Sequence, residues 1–269
     1  MKKRLLVSDM DHTLLDDNSQ ISSENLESIR RHVASGGLFT VATGRAPAAI
    51  RVFPELLPLI NLPVITGNGC QVVELGERED HILYSHSLPR EVRSLTGAVL
   101  ERFERLGAVA YYDLDRYCAF RVNSYVEGLI VKEKREPLRC SVEDSPHPWN
   151  KALMTEEHGY LQQVRDWLKP QLSGLGRTVF SEETYLEILP LGVSKGDALK
   201  MILERYGIDP AETVAVGDSP NDWEMLQLAG IGAVVANGSP ELRRQADAVV
   251  CSNEEHAVRA CLNSFFKAL

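Results

Sequence analysis

Three short apolar runs, each ending abruptly in polar side chains, constrain this chain more than any other feature. Leu5-Leu6-Val7 stops at Ser8-Asp9-Met10-Asp11, Leu38-Phe39-Thr40-Val41-Ala42 stops at Thr43-Gly44-Arg45, and Thr213-Val214-Ala215-Val216 stops at Gly217-Asp218-Ser219-Pro220-Asn221-Asp222. Runs of this length and β-favouring content predict buried strands. The segments between them carry helical spacing. Leu26, Ile29 and Val33 recur every three or four residues until Gly36-Gly37, and Ala198, Leu199, Ile202, Leu203 and Tyr206 do so until Gly207. Pro63-Val64-Ile65 reads as a further short strand, followed by the glycine-flanked turn Thr66-Gly67-Asn68-Gly69. Alternating strands and helices imply a parallel sheet, and in such sheets ligands gather outside the carboxyl ends of the strands. If the three strands are neighbours, Asp9, Asp11, Thr43, Asp218, Asn221 and Asp222 meet at one crevice. Taken alone, Asp9 and Asp11 read equally well as caps of a loop entry.

From about Tyr84 the rhythm changes. The pattern predicts a helix over 90–106, an antiparallel pair over 108–112 and 117–122, a helix over 123–134, loop and edge over 136–150, a strand over 151–154, a helix over 157–172 and a hairpin over 176–189. This is a small α+β domain inserted into an α/β core, dividing the chain into core residues 1–84, an insert over 85–188 and core residues 189–269. Past Gly192 the alternation resumes: Ser194 is a good helix N-cap and Lys195 falls in the first turn. The helix dipole favours anions there, so the lysine is notable if acidic groups sit opposite it. The remainder reads as a helix with Trp223, Leu226 and Leu228, a strand over 232–236, the turn Asn237-Gly238-Ser239-Pro240, a short helix, a strand over 248–251 and a closing helix.

A formal net charge of −9 removes the basic field that sequence-independent binding to nucleic acid or to an anionic membrane requires. Five cysteines without a CxxC pair suggest neither a zinc site nor a disulfide framework, and reduced thiols in the cytoplasm fit. Met1-Lys2-Lys3-Arg4 resembles a secretory start, but only Leu5, Leu6 and Val7 precede Ser8, too few for an apolar export segment. Monomer and dimer are both compatible with the sequence.

Four carboxylates in one crevice repel one another unless a cation or raised pKa values relieve them. Hard oxygen donors without histidine or cysteine point to Mg²⁺, and Mg²⁺ points to a small phosphorylated metabolite as its partner. Lys195 and the Thr43 hydroxyl would take phosphoryl oxygens, an aspartate can attack phosphorus, and a second one can protonate the leaving alcohol. Arg45 and Asn68 stand at strand ends where they either touch substrate or hold loops together.

Asp9-Met10-Asp11-His12-Thr13, Thr43 within Ala-Thr-Gly-Arg, Lys195 within Gly-Val-Ser-Lys-Gly and the run from Gly217 to Asp222 resemble the four ordered motifs of the haloacid dehalogenase-like hydrolases. Leu186 to Pro190 before the Lys195 motif, together with the insert, resembles the Cof-type subfamily with a type II (IIB) cap. The resemblance implies a Rossmann-like core with an α+β cap, and a Mg²⁺-dependent phosphatase acting through an aspartyl-phosphate. It implies Asp9 as nucleophile and metal ligand, Asp11 as general acid/base with its carbonyl on the metal, and Asp218 and Asp222 as further metal contacts. Asn221 would orient Lys195 or phosphate, with Thr43, Gly44, Arg45 and Asn68 at the phosphate. His12 stands where the family has glycine. Two alternatives are a phosphomutase and, in a different class, a phosphorylation-controlled binding protein.

Overall fold

Leu5, Leu6 and Val7 of β1 (Leu5–Ser8) have no exposed surface, so this strand reads as a continuous apolar run rather than an alternating one. In the computed structural model, which describes residues 4–113 and 115–266, the chain leaves β1 through a wide turn, Met10–Leu14, in which Asp11 and His12 have non-helical backbone angles. The Leu15 N–H closes it on the Met10 carbonyl at 2.8 Å. A single bridge between Leu15 and Ile21 leads to α1 (Ser23–Ala34), where the Ser22 hydroxyl accepts the Asn25 N–H at 3.2 Å. β2 (Leu38–Val41) follows. α2 (Pro47–Ile50) and the turn Leu57–Leu59 stay short, as prolines at 54 and 58 remove donors that a longer helix needs.

β3 (Val64–Thr66) meets the preceding strand segment through one parallel bridge, Ala42 to Ile65, and then pairs antiparallel with β4 (Gln71–Glu74), beside which lies β5 (His81–Ser85). The sequence reading passes over β4 and β5. Both are short, and β5 is largely exposed, so it shows no buried face in its pattern.

A separate compact unit consists of Ala46–Ala49 and Ser85–Val193. It contains α3 (Glu91–Arg102), β6 (Gly107–Tyr111), β7 (Tyr117–Arg121), α4 (Ser124–Glu133), β8 (Leu138–Arg139), β9 (Lys151–Thr155), α5 (His158–Gln171), β10 (Arg177–Glu182) and β11 (Tyr185–Leu189). Its sheet runs β10-β11-β9-β6-β7-β8, antiparallel apart from the β7–β8 pair. Val92 and Val99 of α3 and Leu161, Val164 and Leu168 of α5 build one core with Trp149 and Ile188, while Val126 and Leu129 of α4 build another with Val109, Tyr111 and Leu153. The unit ends at Val193, five residues beyond the boundary read from sequence, and Arg177 Nε donates to the Val193 carbonyl at 3.0 Å. Ala46–Ala49 belongs here too, with the Ala48 N–H on Asp115 Oδ1 at 2.8 Å.

The first unit is completed by α6 (Lys195–Tyr206), β12 (Thr213–Gly217), α7 (Trp223–Leu228), β13 (Ile231–Val235), α8 (Pro240–Gln245), β14 (Ala248–Val250) and α9 (Ala257–Phe265). Its main sheet is wholly parallel, in the order β14-β13-β12-β1-β2. The α/β core read from the strand–helix alternation is therefore present, with Leu5, Val7, Ala215 and Val234 packed against Leu199, Ile202 and Leu203 of α6 and Met225 and Leu226 of α7. Among the described residues no helix is long and apolar enough to cross a membrane.

Candidate active site

Strand register decides which polar residues meet. Ser8 lies opposite Val216 on one side and Val41 on the other, so the residues that follow β1, β12 and β2 emerge level with one another. The Asp9 N–H continues the ladder to the Val216 carbonyl at 2.9 Å, and the Ala42 N–H donates to the Ser8 carbonyl at 2.9 Å. Asp9 thus leaves the sheet with its backbone fixed and only 5% of its surface exposed.

Lys195 reaches this point from the first turn of α6. Ser194 caps the helix, accepting the Asp197 N–H at 3.0 Å. Gly69, at φ +97°, lets the 67–69 turn press against that helix end; a Cβ there would lie 2.1 Å from the Ser194 carbonyl oxygen. The Lys195 ammonium donates to Asp9 Oδ1 and to Asp222 Oδ1, both at 2.6 Å. The anions that give a first-turn lysine its meaning are in place.

Asp222 does two jobs. Its other oxygen, Oδ2, accepts the N–H groups of Asp218 at 3.0 Å and Ser219 at 3.1 Å. With Ser219 it forms a capping box that shapes the loop after β12. Gly217 makes room: a Cβ there would fall 2.5 Å from the Asp222 carboxyl carbon. Asp218 is held by the Ser219 hydroxyl on Oδ2 at 2.7 Å and by the Thr13 hydroxyl on Oδ1 at 3.4 Å. Asp9, Asp218 and Asp222 each offer an oxygen within 4.8 Å of the others, close enough to hold a metal ion together.

Asp11 is turned elsewhere. Arg45 Nε and Nη2 donate to its two oxygens at 2.9 and 2.6 Å, a bidentate fork, so three rather than four carboxylates converge. The Thr43 hydroxyl is fully buried and accepts the Arg45 N–H at 3.1 Å. Asn221 does not orient Lys195. Its amide nitrogen donates to Asn68 Oδ1 at 3.0 Å, its own Oδ1 is buried without a hydrogen-bond partner, and Lys195 is held by the aspartates instead. Asn68 sits in the left-handed region at φ +57°, its side chain 3.1 Å from where a Cβ on Gly44 would lie. His12 is exposed, also at φ +57°, a conformation that costs a side-chain-bearing residue more than glycine.

One lysine cannot neutralise three carboxylates in a buried site. Burial holds the Asp9 carboxyl well above the ordinary range, opposed by Lys195 and reinforced by Asp222, Asp218 and Asp11. Burial and Asp222 push Asp218 up to about 7. Burial by itself would depress Lys195, but Asp222 and Asp9 outweigh it and raise the ammonium above its usual value. With its three carboxylates ionised, the pocket has two positive charges too few.

Sequence reasoning did not single out Ser219 or Thr13 as supports of Asp218. Ser219 was findable, because Ser-Pro-Asn-Asp followed by an apolar run is a capping-box pattern. Thr13 carries no such local signal.

A family model described as haloacid dehalogenase-like hydrolase matches residues 6–262. The chain is 28% identical over 280 residues to 5-amino-6-(5-phospho-D-ribitylamino)uracil phosphatase YwtE of Bacillus subtilis, covering 95% of each protein. It is 29% identical over 260 residues to a chloroplastic endoribonuclease YBEY of Arabidopsis thaliana, but spans only 44% of that protein's length. A solved HAD subclass IIB sugar phosphatase superposes with a TM-score of 0.85 at 22% identity, over 98% of this chain and 99% of the other.

Proposed function

The chain belongs to the haloacid dehalogenase-like hydrolase family, and from that premise we propose that it is a cytoplasmic, Mg²⁺-dependent phosphatase of small phosphomonoesters, sugar phosphates or similar metabolites, working through an aspartyl-phosphate. The observation that carries the proposal is the uncompensated acid pocket: Asp9, Asp218 and Asp222 around a single buried lysine. The donors are hard oxygens throughout, with carboxyls raised by burial and mutual repulsion, which suits a small hard divalent cation. Asp9 and Asp218 would hold Mg²⁺ with Asp222 and the Asp11 carbonyl. When bound, the ion would neutralise phosphoryl oxygens and the acids around them.

In this reading the Asp9 carboxylate attacks phosphorus and the bond to the leaving oxygen breaks, which makes the aspartyl-phosphate. Asp11 gives its proton to that oxygen, then takes one from the water that cleaves the acyl-phosphate and regenerates Asp9. The Arg45 fork aims the Asp11 carboxyl, and proton donation requires one of its two bonds to open. Lys195 balances the charge at Asp9. Gly44, Asn68, Asn221 and the backbone around Thr43 would cradle the phosphate, and the second unit would act as the family's cap, choosing the leaving group. The YwtE likeness and the superposition with a sugar phosphatase support small phosphorylated metabolites as substrates.

Asp9→Asn is expected to abolish phosphate release from an aryl phosphate at saturating Mg²⁺, while activity equal to the parent overturns the proposal. Assaying free phosphate separates hydrolysis from transfer to a second hydroxyl.

A further inference from the structure

The turn after β13 takes no part in the chemistry proposed above, yet it touches both acid-bearing loops. Asn237 Nδ2 donates to the His12 carbonyl at 2.8 Å, two residues downstream of Met10 and directly beyond Asp11. Two residues later in the same turn, the Ser239 N–H donates to the Asp218 carbonyl at 2.8 Å. Gly238 between them packs closely, with a notional Cβ 3.0 Å from that same Asp218 oxygen. One four-residue turn therefore fastens the Asp9–Thr13 segment on one side and the Asp218 loop on the other.

The fastening extends outward. Asn237 Oδ1 accepts the Asn253 N–H at 3.0 Å, and Asn253, which is nearly buried, donates from Nδ2 to the Leu15 carbonyl and to Asp17 Oδ1, both at 3.1 Å. The Asp17 N–H reaches Glu254 Oε1 at 2.7 Å. Two asparagines thus grip the segment from His12 to Asp17 at both of its ends. The grip falls where the backbone is under strain, since His12 adopts φ +57° with a full side chain. It also falls one residue before Thr13, whose hydroxyl spans the acid pocket to Asp218.

We propose that Asn237 is a positioning residue: by holding the His12 carbonyl from the turn that also holds Asp218, it fixes the spacing between the Asp9/Asp11 segment and Asp218. This rests on the phosphatase reading for its catalytic consequence but not for its structural one. Asn237 is exposed, so its removal leaves the core intact. Displacing a reacting group by about 1 Å can cost on the order of a hundredfold in rate.

Asn237→Ala removes both of its side-chain bonds; Asn237→Asp keeps the acceptor for the Asn253 N–H and loses the donor to His12. Both variants are expected to lower kcat for an aryl phosphate by tenfold or more with KM within about twofold, and to need more Mg²⁺ for half-maximal rate. A readout that needs no turnover accompanies this one. The rise in Tm on adding Mg²⁺ should shrink in both variants, while the Tm without metal stays within about 2 °C of the parent. Hydrogen exchange at the amides of residues 12–15 should quicken in both. If Asn237→Asp behaves as the parent in kcat, Mg²⁺ response and exchange, the His12 bond positions nothing and the proposal fails. If activity falls only in step with the metal-free Tm, the residue is merely structural and the proposal fails as well. A parent without Asp9-dependent hydrolysis overturns the phosphatase reading, while exchange at residues 12–15 still decides the fate of the clamp.

Discussion

Each of the two compact units buries a lysine against carboxylate, and the two arrangements differ in one respect. In the second unit Lys151 donates to Glu187 Oε1 at 3.0 Å, the Ser181 hydroxyl donates to the same oxygen at 2.9 Å, and the ammonium lies 4.7 Å from the centre of the Tyr111 ring. Lys151 opens β9 and lies diagonally across the strand pair from Glu187 in the middle of β11, which faces Leu153; 5% and 3% of the two side chains are exposed. In the first unit Lys195 is wholly buried between two aspartates, and a third joins them at the strand ends. Burying a charge pair is costly, and a matched pair recovers most of that cost through attraction and hydrogen bonds. A mismatched cluster recovers it only when something else binds. Excess of one sign, rather than burial of charge as such, distinguishes the candidate site from a structural ion pair.

The strongest way to break this contrast is to remove the lysine from each cluster. Lys195→Met leaves acids facing acids, so phosphate release should fall by more than about a thousandfold and urea denaturation should show a loss of roughly 3–5 kcal/mol. Lys151→Met should cost a similar amount of stability, because the buried Glu187 carboxylate loses the ammonium that balances its charge. The double variants then separate the two. Lys151→Met with Glu187→Leu should return to within about 1.5 kcal/mol of the parent, whereas Lys195→Met with Asp222→Leu should not, since Asp9 and Asp218 still repel and the loop amides of Asp218 and Ser219 lose their acceptor. Equal recovery in the two pairs would dissolve the distinction.

The pH response sharpens it further. Asp218 titrates near 7 in the folded chain and near 4 when unfolded, so between those values the folded state holds a proton that the unfolded state has lost. Stability of the metal-free protein should therefore fall as pH rises from about 4 to 7. Saturating Mg²⁺ at pH 7.5 should raise Tm by several degrees, and Asp218→Asn should flatten the pH slope and blunt the Mg²⁺ effect, as thermal scans across pH would reveal. The smallest effect is expected at the strained turn: His12→Gly relieves a left-handed side chain at the expense of a more flexible unfolded chain, changing stability by less than about 1 kcal/mol.

Much of this molecule is legible in local pattern. The buried strands β1 and β12 and the nearly buried β2 announce themselves as apolar runs, and the Ser194 cap and the Gly207 stop bracket α6 as read. Helices expected over 90–106 and 123–134 occur as α3 and α4. β5 is illegible for the opposite reason: a short, largely exposed edge carries no burial signature. At the site, the residue types and their order were readable, but their partners were not. Asp11 and Asp9 look interchangeable in sequence, two positions apart at one strand end. Only the fold gives Asp11 an arginine and Asp9 a lysine.

The sequence by itself determined which residues stand at the carboxyl ends of the strands and where α3 to α6 begin, because those features depend on neighbours a few positions away. The tertiary structure decided that Asp218 joins Asp9 while Asp11 is drawn off by Arg45, that Asn221 pairs with Asn68, and that a turn near residue 237 spans two loops. Those choices follow from strand order and register, which bring residues 186 positions apart to within 2.6 Å and have no local trace in the chain.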